Sequence, residues 1–409
     1  MAITILQAPS PLQPAYNELN YLVTSSNKAQ TNFRYVCDIY INNAYADRLS
    51  APPHPTYGTG MFNPARIIEN YVNNDVDLTT YGFGTNNNSY INYVLKFGES
   101  YGSLATGSTV YPNQTITGTK YVWNAIYDYE DWVGYSSGTI QAGSSSTRFL
   151  TNRPSSGDIQ FTENYYLYAN TITSGSTGID YAYIVTKDSS NATINTAKVN
   201  NPYKAFPTQG SRFLRFAAGA NNINQIPSSQ ITLGGQPIIN STDYAYTIQF
   251  FNSSNTAVTE QHRFTINSTC TKYTTYRIWF LNKLGGYDAF TFYRKNMFTS
   301  DVKRENFKSN LGVMGASSFT YTKQQRAITQ YSTKIKDLVS CESDFVSEAQ
   351  MVWLEELITS PDVYVEKDGV LVPINITTST HERKLQVNKK LFNLKIEFNY
   401  SYERQRQRF

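Results

Sequence analysis

From Phe392 to Tyr402 the chain alternates without a break. Phe392, Leu394, Ile396, Phe398, Tyr400 and Tyr402 fall on one side, and Asn393, Lys395, Glu397, Asn399 and Ser401 on the other. A period of two suits only an extended strand with one buried face. Shorter runs of the same kind recur at 35–41, 90–97, 121–127, 159–169, 181–186 and 244–251, separated by clusters of Gly, Asn, Ser and Thr. In the last run Tyr244, Tyr246, Ile248 and Phe250 share one face against Ala245, Thr247 and Gln249. Short alternating runs between turn clusters predict antiparallel sandwiches rather than βαβ units.

Charge divides the chain. Residues 301–409 hold 30 of its 66 charged side chains, which places a boundary near residue 300. At roughly 150 residues per domain, 409 residues suggest two or three domains. The expected fold is therefore mainly β, with one antiparallel β-sandwich over 1–145, a second over 146–299, and a smaller α+β docking region over 300–409. Abundant aromatics, 33 Tyr and 22 Phe, supply enough apolar area to order most of the chain.

Local signals refine this picture. Asn63 and Pro64 suit the start of a short helix through Ile67, Ile68, Tyr71 and Val72. Tyr276, Ile278 and Phe280 alternate with Arg277, Trp279 and Leu281, and Gly285-Gly286 permits a turn back to Phe290 and Phe292. Apolar residues on both faces predict a first strand buried on both sides. Ser347-Glu348-Ala349-Gln350 reads as a capping box, with Val346 and Met351 as its hydrophobic staple, opening a helix through Trp353 and Leu357 that Ser360-Pro361 stops. Asp368-Gly369 between 363–367 and 370–376 predicts a tight hairpin. The polar stretches 134–147 and 171–178 read as flexible loops, expected to be held by neighbouring molecules in a symmetric assembly.

The parity of the final strand carries Arg404, Arg406 and Arg408 to the core side beyond the end of the sheet. Guanidinium groups there need acidic or polar partners, or else they belong to a frayed, solvated tail. These arginines and Trp353 are the expected interface residues. Residues 382–409 carry eight Lys or Arg against three Glu, while the rest of the chain is near neutral, so DNA contact is expected only through this tail. No apolar run approaches the ~20 residues of a membrane span, and no membrane partner is expected. The opening residues show neither a charged n-region nor an apolar h-region, so synthesis in a cytoplasm is expected.

Catalytic patterns are missing. His54, His262 and His381 fall in no metal-binding spacing, and Cys37, Cys270 and Cys341 form no paired motif. Asp75 and Asp77 lack the remaining ligands of a calcium loop and read as a solvated loop. Gly82-Phe83-Gly84-Thr85 is followed by Asn86-Asn87-Asn88 rather than a helix start. No enzyme activity, catalytic residue, metal or cofactor is expected. Tyr127-Asp128-Tyr129-Glu130-Asp131-Trp132 interleaves acids with aromatics, reading as a strand end or as a glycan site in which Tyr129, Glu130, Asp131 and Trp132 stack on and hydrogen-bond a sugar. Two carboxylates there would also suit a glycosidase at the right spacing.

Several stretches resemble one family: APSPLQPAYNELNYLVTSSN, FRYVCDIYIN, APPHPTYGTGMFNPARIIENYV, YVWNAIYDYEDW, FLTNRP and CTKYTTYRIWFLNKLGGYDAFTF. They are similar to the neck and tail ring proteins of crAss-like podoviruses. The resemblance covers residues 1 to about 300 and is weaker beyond. It implies a non-enzymatic virion component with immunoglobulin-like sandwiches, Pro9 and Pro11 sitting on an edge strand. It further implies a ring of copies, twelve as the expected number, around the portal and tail axis, in contact with the portal and neighbouring tail proteins. The alternative expectation is a carbohydrate-binding adhesin of the tail.

Overall fold

The computed structural model describes residues 3–74, 76, 77, 79–86, 88–103, 109–171, 178–204, 213–268, 272–379 and 392–407. Asp75, Cys270, His381, Arg408 and residues 172–177 and 382–391 therefore lie outside the described residues. The fold is mainly β, with 48% strand against 9% helix, in several antiparallel and mixed sheets and no barrel. The chain divides into two compact units: residues 1–268 with 282–288, and residues 269–281 with 289–409.

In the first unit a three-stranded sheet orders Ile3–Gln7, Tyr21–Ser25 and Gly60–Phe62. A six-stranded sheet runs Leu12–Pro14, Lys120–Trp123, Tyr90–Tyr101, Arg34–Ile41 and Ala44–Ala51, with Thr109–Ile116 also paired to Tyr90–Tyr101. Alternate residues of both sheets, including Tyr21, Val23, Tyr35, Cys37, Tyr93 and Phe97, are buried in one core. The short helix Ala65–Ile68 lies on that core through Ala65 and Ile68. Asn63 Oδ1 accepts the Ala65 amide at 3.2 Å and the Leu19 amide at 3.0 Å.

A second six-stranded sheet orders Ser156–Gln160, His262–Asn267, Ala245–Phe251, Tyr181–Lys187, Thr193–Asn200 and Ile231–Leu233, and a second three-stranded sheet orders Tyr166–Asn170, Phe213–Ala217 and Phe83–Thr85. Their aromatic faces meet: Phe83 lies 4.7 Å from Phe216 and 5.3 Å from Phe250. Strand Phe83–Thr85 thus leaves the sequence neighbourhood of the first core to complete a sheet with residues 130 positions downstream. Tyr246, Ile248 and Phe250 are fully buried on the face that their spacing predicts, whereas Tyr244 is exposed.

The polar loop 134–147 is held by its own chain. Asn170 O accepts the Ala142 amide at 2.8 Å, Val258 O the Gly143 amide at 3.1 Å, and Thr147 O the Glu260 amide at 2.8 Å. Ile140, Ala142 and Thr147 are buried, so the loop is anchored within the chain. Within it the Thr147 and Ser144 hydroxyls accept the Ser144 and Ser146 amides, while its glycines and most of its serines are exposed.

In the second unit the sheet runs Tyr287–Phe292, Tyr276–Leu281, Val363–Lys367, Val370–Ile376, Phe392–Tyr400, Ile328–Val346 and Asn296–Lys308, with Arg404–Gln405 also on Ile328–Val346. Helix Glu348–Thr359 carries the full capping box between Ser347 and Gln350 and packs Met351, Trp353, Leu354 and Leu357 into a core with Ile278, Phe280, Val365, Ile396 and Phe398. Asp368 and Gly369 take φ of 53° and 76°, the left-handed pair that a two-residue hairpin requires. Ile278, Trp279 and Phe280 are all buried, as a strand apolar on both faces demands.

Candidate functional site

The acid and aromatic segment does not continue as a strand. Asp128 precedes a five-residue helix, Tyr129–Val133, ended by Gly134, which separates Tyr127 from Tyr129 instead of placing them on one face. Tyr127 is held by both polar atoms of the Asn17 side-chain amide, whose Oδ1 accepts the Tyr127 amide at 2.7 Å and whose Nδ2 donates to Tyr127 O at 2.9 Å. Around it an aromatic corner forms. Tyr135 lies 5.4 Å from Tyr127, 6.4 Å from Trp123 and 5.3 Å from Trp132, stacked on the last. Tyr135 donates its hydroxyl to Leu12 O at 2.8 Å, and Trp123 donates Nε1 to Leu284 O at 3.0 Å. Burial pushes the Tyr127 hydroxyl up to about 12.

Lys283 Nζ sits 2.7 Å from Asp128 Oδ2 and 3.7 Å from Asp131 Oδ2, so one cation serves both carboxylates. Of the four expected glycan residues, the structure brings Asp131 to this ion pair and Trp132 to the aromatic corner, with one face of the indole covered by Tyr135. Tyr129, 81% exposed, and Glu130 remain outside the cluster. This arrangement anchors the chain between strand Lys120–Trp123 and the loop that follows. Asp128, Tyr129, Glu130 and Asp131 are all exposed, and Lys283 stands beside two of the three carboxylates.

Other chemistry-bearing groups have partners inside the chain. Asp77 accepts from Arg215 at 2.6 Å and from Thr79 and Thr80. Burial raises its carboxyl, but these hydrogen bonds and the Arg215 charge outweigh it and hold the group near 2. Asp77 is therefore a structural anchor for buried Arg215 rather than part of a solvated loop. His262 is buried beside Glu260 at 3.3 Å and edge-on to Phe149, while exposed His54 stacks on Tyr57. Cys37 and Cys341 are buried in strands, and burial pushes the Cys341 thiol up to about 12. Among the described residues no group of three His, Cys, Asp or Glu is placed to hold a metal ion.

The expected interface residues fall differently. Trp353 is 2% exposed and packs 5.8 Å from Phe280 and 6.1 Å from Phe290. It belongs to its own unit's core, which removes it from any interface. Arg404 finds its acid in the same unit: Nε and Nη2 donate to Asp337 at 2.6 and 2.7 Å, and Ser300 Oγ donates to the same carboxylate at 2.8 Å. The hydrogen bonds from Arg404 hold the Asp337 carboxyl below its usual range. Strand pairing of Arg404–Gln405 with Ile335 and Lys334 carries the tail onward. Exposed Arg406 donates its amide to Thr333 O at 3.2 Å.

Sequence reasoning missed the long hairpin of Asn296–Lys308 with Ile328–Val346, capped by the small hairpin Val313–Met314 and Phe319–Thr320. Beyond Thr333 it is a two-stranded ribbon, with Phe307, Leu311, Val313, Met314, Phe319, Tyr321 and Ile328 exposed. A run of cations with almost no acids, broken by a charge-free apolar stretch at 311–321, was the signal available. No protein-family profile matches the chain, and no curated protein is significantly similar to it.

Proposed function

We propose that this protein is a non-enzymatic structural component of a tailed-bacteriophage virion, a neck or tail subunit that forms a ring of copies around the portal axis. Two immunoglobulin-like β-sandwiches in the first unit would form the ring body. The observation that carries this reading is a pair of open sheet edges on that unit that expose Met61 and Tyr45. Strand Gly60–Phe62 ends one sheet with Met61 66% exposed, and Tyr57, 71% exposed, stands in the turn leading to it. Strand Ala44–Ala51 ends the other sheet with Tyr45 exposed. An open sheet edge presents unpaired backbone groups to another chain, and large exposed aromatic and Met side chains suit contact surfaces. The two edge strands lie beside each other and offer one surface, which makes a ring when a neighbouring copy meets it with a different surface and the rotation closes.

The internal use of Asp77, Glu260, His262, Asp128 and Asp131 supports packing rather than turnover. Light scattering of the purified protein, alone and mixed with portal, tests the reading. Closed oligomers that Met61→Glu and Tyr57→Ser together reduce to monomer are expected. A monomer under all conditions that binds saturably on a glycan array, with binding lost in Trp132→Ala, would replace this reading with the adhesin.

A further inference from the structure

We propose that the ribbon of Asn296–Lys308 and Ile328–Val346 is a DNA-binding arm that lies in a groove of duplex DNA. The inference rests on the second unit alone and stands independently of ring formation. Residues 303–336 carry seven Lys or Arg and one Glu, and every one of those cations is exposed. Lys303, Arg304, Lys308, Lys323 and Lys334 form no ion pair among the described residues. Lys303 and Lys334 stand directly opposite each other in the antiparallel register, an arrangement that destabilises a ribbon through like-charge repulsion. A polyanion laid along the ribbon converts that repulsion into binding.

Lysines on an outer strand also discourage edge pairing. That purpose covers Lys303 and Lys308 but not Lys334, which lies on a strand already paired on both sides, to Lys303 and to Gln405. Shape agrees with charge. From Arg304 and Thr333 to the tip, two strands about 4.8 Å apart, with their side chains, make a ribbon roughly 10 Å wide, and the major groove of B-DNA, about 12 Å wide, admits such a ribbon. The deep, narrow major groove of an RNA duplex does not. The charge-free end, with Met314 77% exposed beside Val313, Phe319 and Tyr321, offers the apolar contacts that thymine methyls and unstacked base steps accept.

An anionic membrane would also attract a basic hairpin with an apolar end. It would want its cations at one depth, within an interfacial layer of roughly 5–8 Å per leaflet. With its apolar end inserted and the ribbon upright, Lys303 to Lys308 would span about 17 Å of depth at about 3.4 Å per residue, more than that layer, whereas the same spacing follows a phosphate track. The C-terminal tail is a weaker candidate than expected, because Arg404 is already engaged by Asp337.

The test is fluorescence anisotropy of the full chain with a labelled, mixed-sequence DNA duplex of about 25 base pairs. With about five phosphates neutralised, the log affinity should fall with log salt at a slope near −4.5, roughly 500-fold between about 50 and 200 mM. Lys303→Gln, Lys308→Gln and Lys334→Gln together should weaken binding at least about tenfold at the lower salt and flatten the slope by about 2.7. Their circular dichroism should stay unchanged and their melting temperature should not fall, because all three side chains are exposed and the Lys303–Lys334 repulsion is removed. Lys28→Gln, at an exposed cation of the first unit, should bind like the unmodified chain. An unchanged affinity in the triple variant would overturn the proposal, as would tighter binding to single-stranded than to duplex DNA. Binding to phosphatidylserine vesicles that Met314→Ser and Phe319→Ser abolish, without salt-dependent duplex binding, would assign the arm to a membrane and equally overturn it.

Discussion

Trp353→Ala separates a core role from an interface role. The indole is 2% exposed and packs against Phe280 and Phe290, on a helix whose Met351, Leu354 and Leu357 are also buried. Truncating a buried Trp to Ala removes transfer energy and leaves a cavity, together about 3–5 kcal/mol. For a urea dependence near 2 kcal/mol per molar, the midpoint of the second unit should drop by about 1.5–2.5 M. The first unit, which holds its own cores, serves as an internal control, and its transition should stay in place. Urea titrations followed by Trp fluorescence and far-ultraviolet circular dichroism would resolve the two. Trp353→Phe, which keeps a ring in the pocket, should shift the second transition less. An unmoved second transition combined with lost assembly would refute the core assignment and restore Trp353 to an interface.

Two further perturbations address the clip on the tail and a hairpin turn. Because its folded carboxyl sits below the unfolded value of about 3.9, Asp337 favours the folded state above that pH and loses this contribution as pH falls through the folded value. Hydrogen exchange of residues 402–407, corrected for intrinsic rate, should speed up several-fold in Asp337→Asn at neutral pH and in the unmodified chain below about pH 4; protection insensitive to both would remove the Arg404 clip. Gly285 has φ of +89°, and a Cβ there would lie 2.2 Å from Asn124 O, so Gly285→Ala should cost the first unit at least about 2 kcal/mol in urea unfolding. Gly235→Ala, with open space around the new Cβ, is the neutral control.

Features whose determinants lie within a few residues were legible in the sequence. The capping box at Ser347, the Asp368-Gly369 turn and the buried face of Leu394, Ile396 and Phe398 each follow from local periodicity or one backbone preference. Phe83–Thr85 was not legible, because three residues carry no period and their partners in Phe213–Ala217 are set by the tertiary fold. Nor was the Arg404 acid, since Asp337 is 67 residues away. The helix Tyr129–Val133 is too short for its spacing to compete with the alternation before it. Strand Asn296–Lys308 escaped for the opposite reason: alternation marks a strand only when one face is buried, and this strand is exposed along most of its length. At the aromatic corner, composition suggested acids beside aromatics, but Lys283, 155 residues from Asp128, decides what those acids can do.

The central claim is that copies of this chain associate through the sheet edges of the first unit into a closed ring. Native mass spectrometry of the purified protein, with and without portal, followed by electron microscopy of the species observed, tests it most directly. The account predicts one closed oligomeric mass with ring-shaped particles, formed alone or on portal, and its loss in the Met61→Glu and Tyr57→Ser variant. A monomer that ignores portal, or a ring that survives those two substitutions, would contradict it.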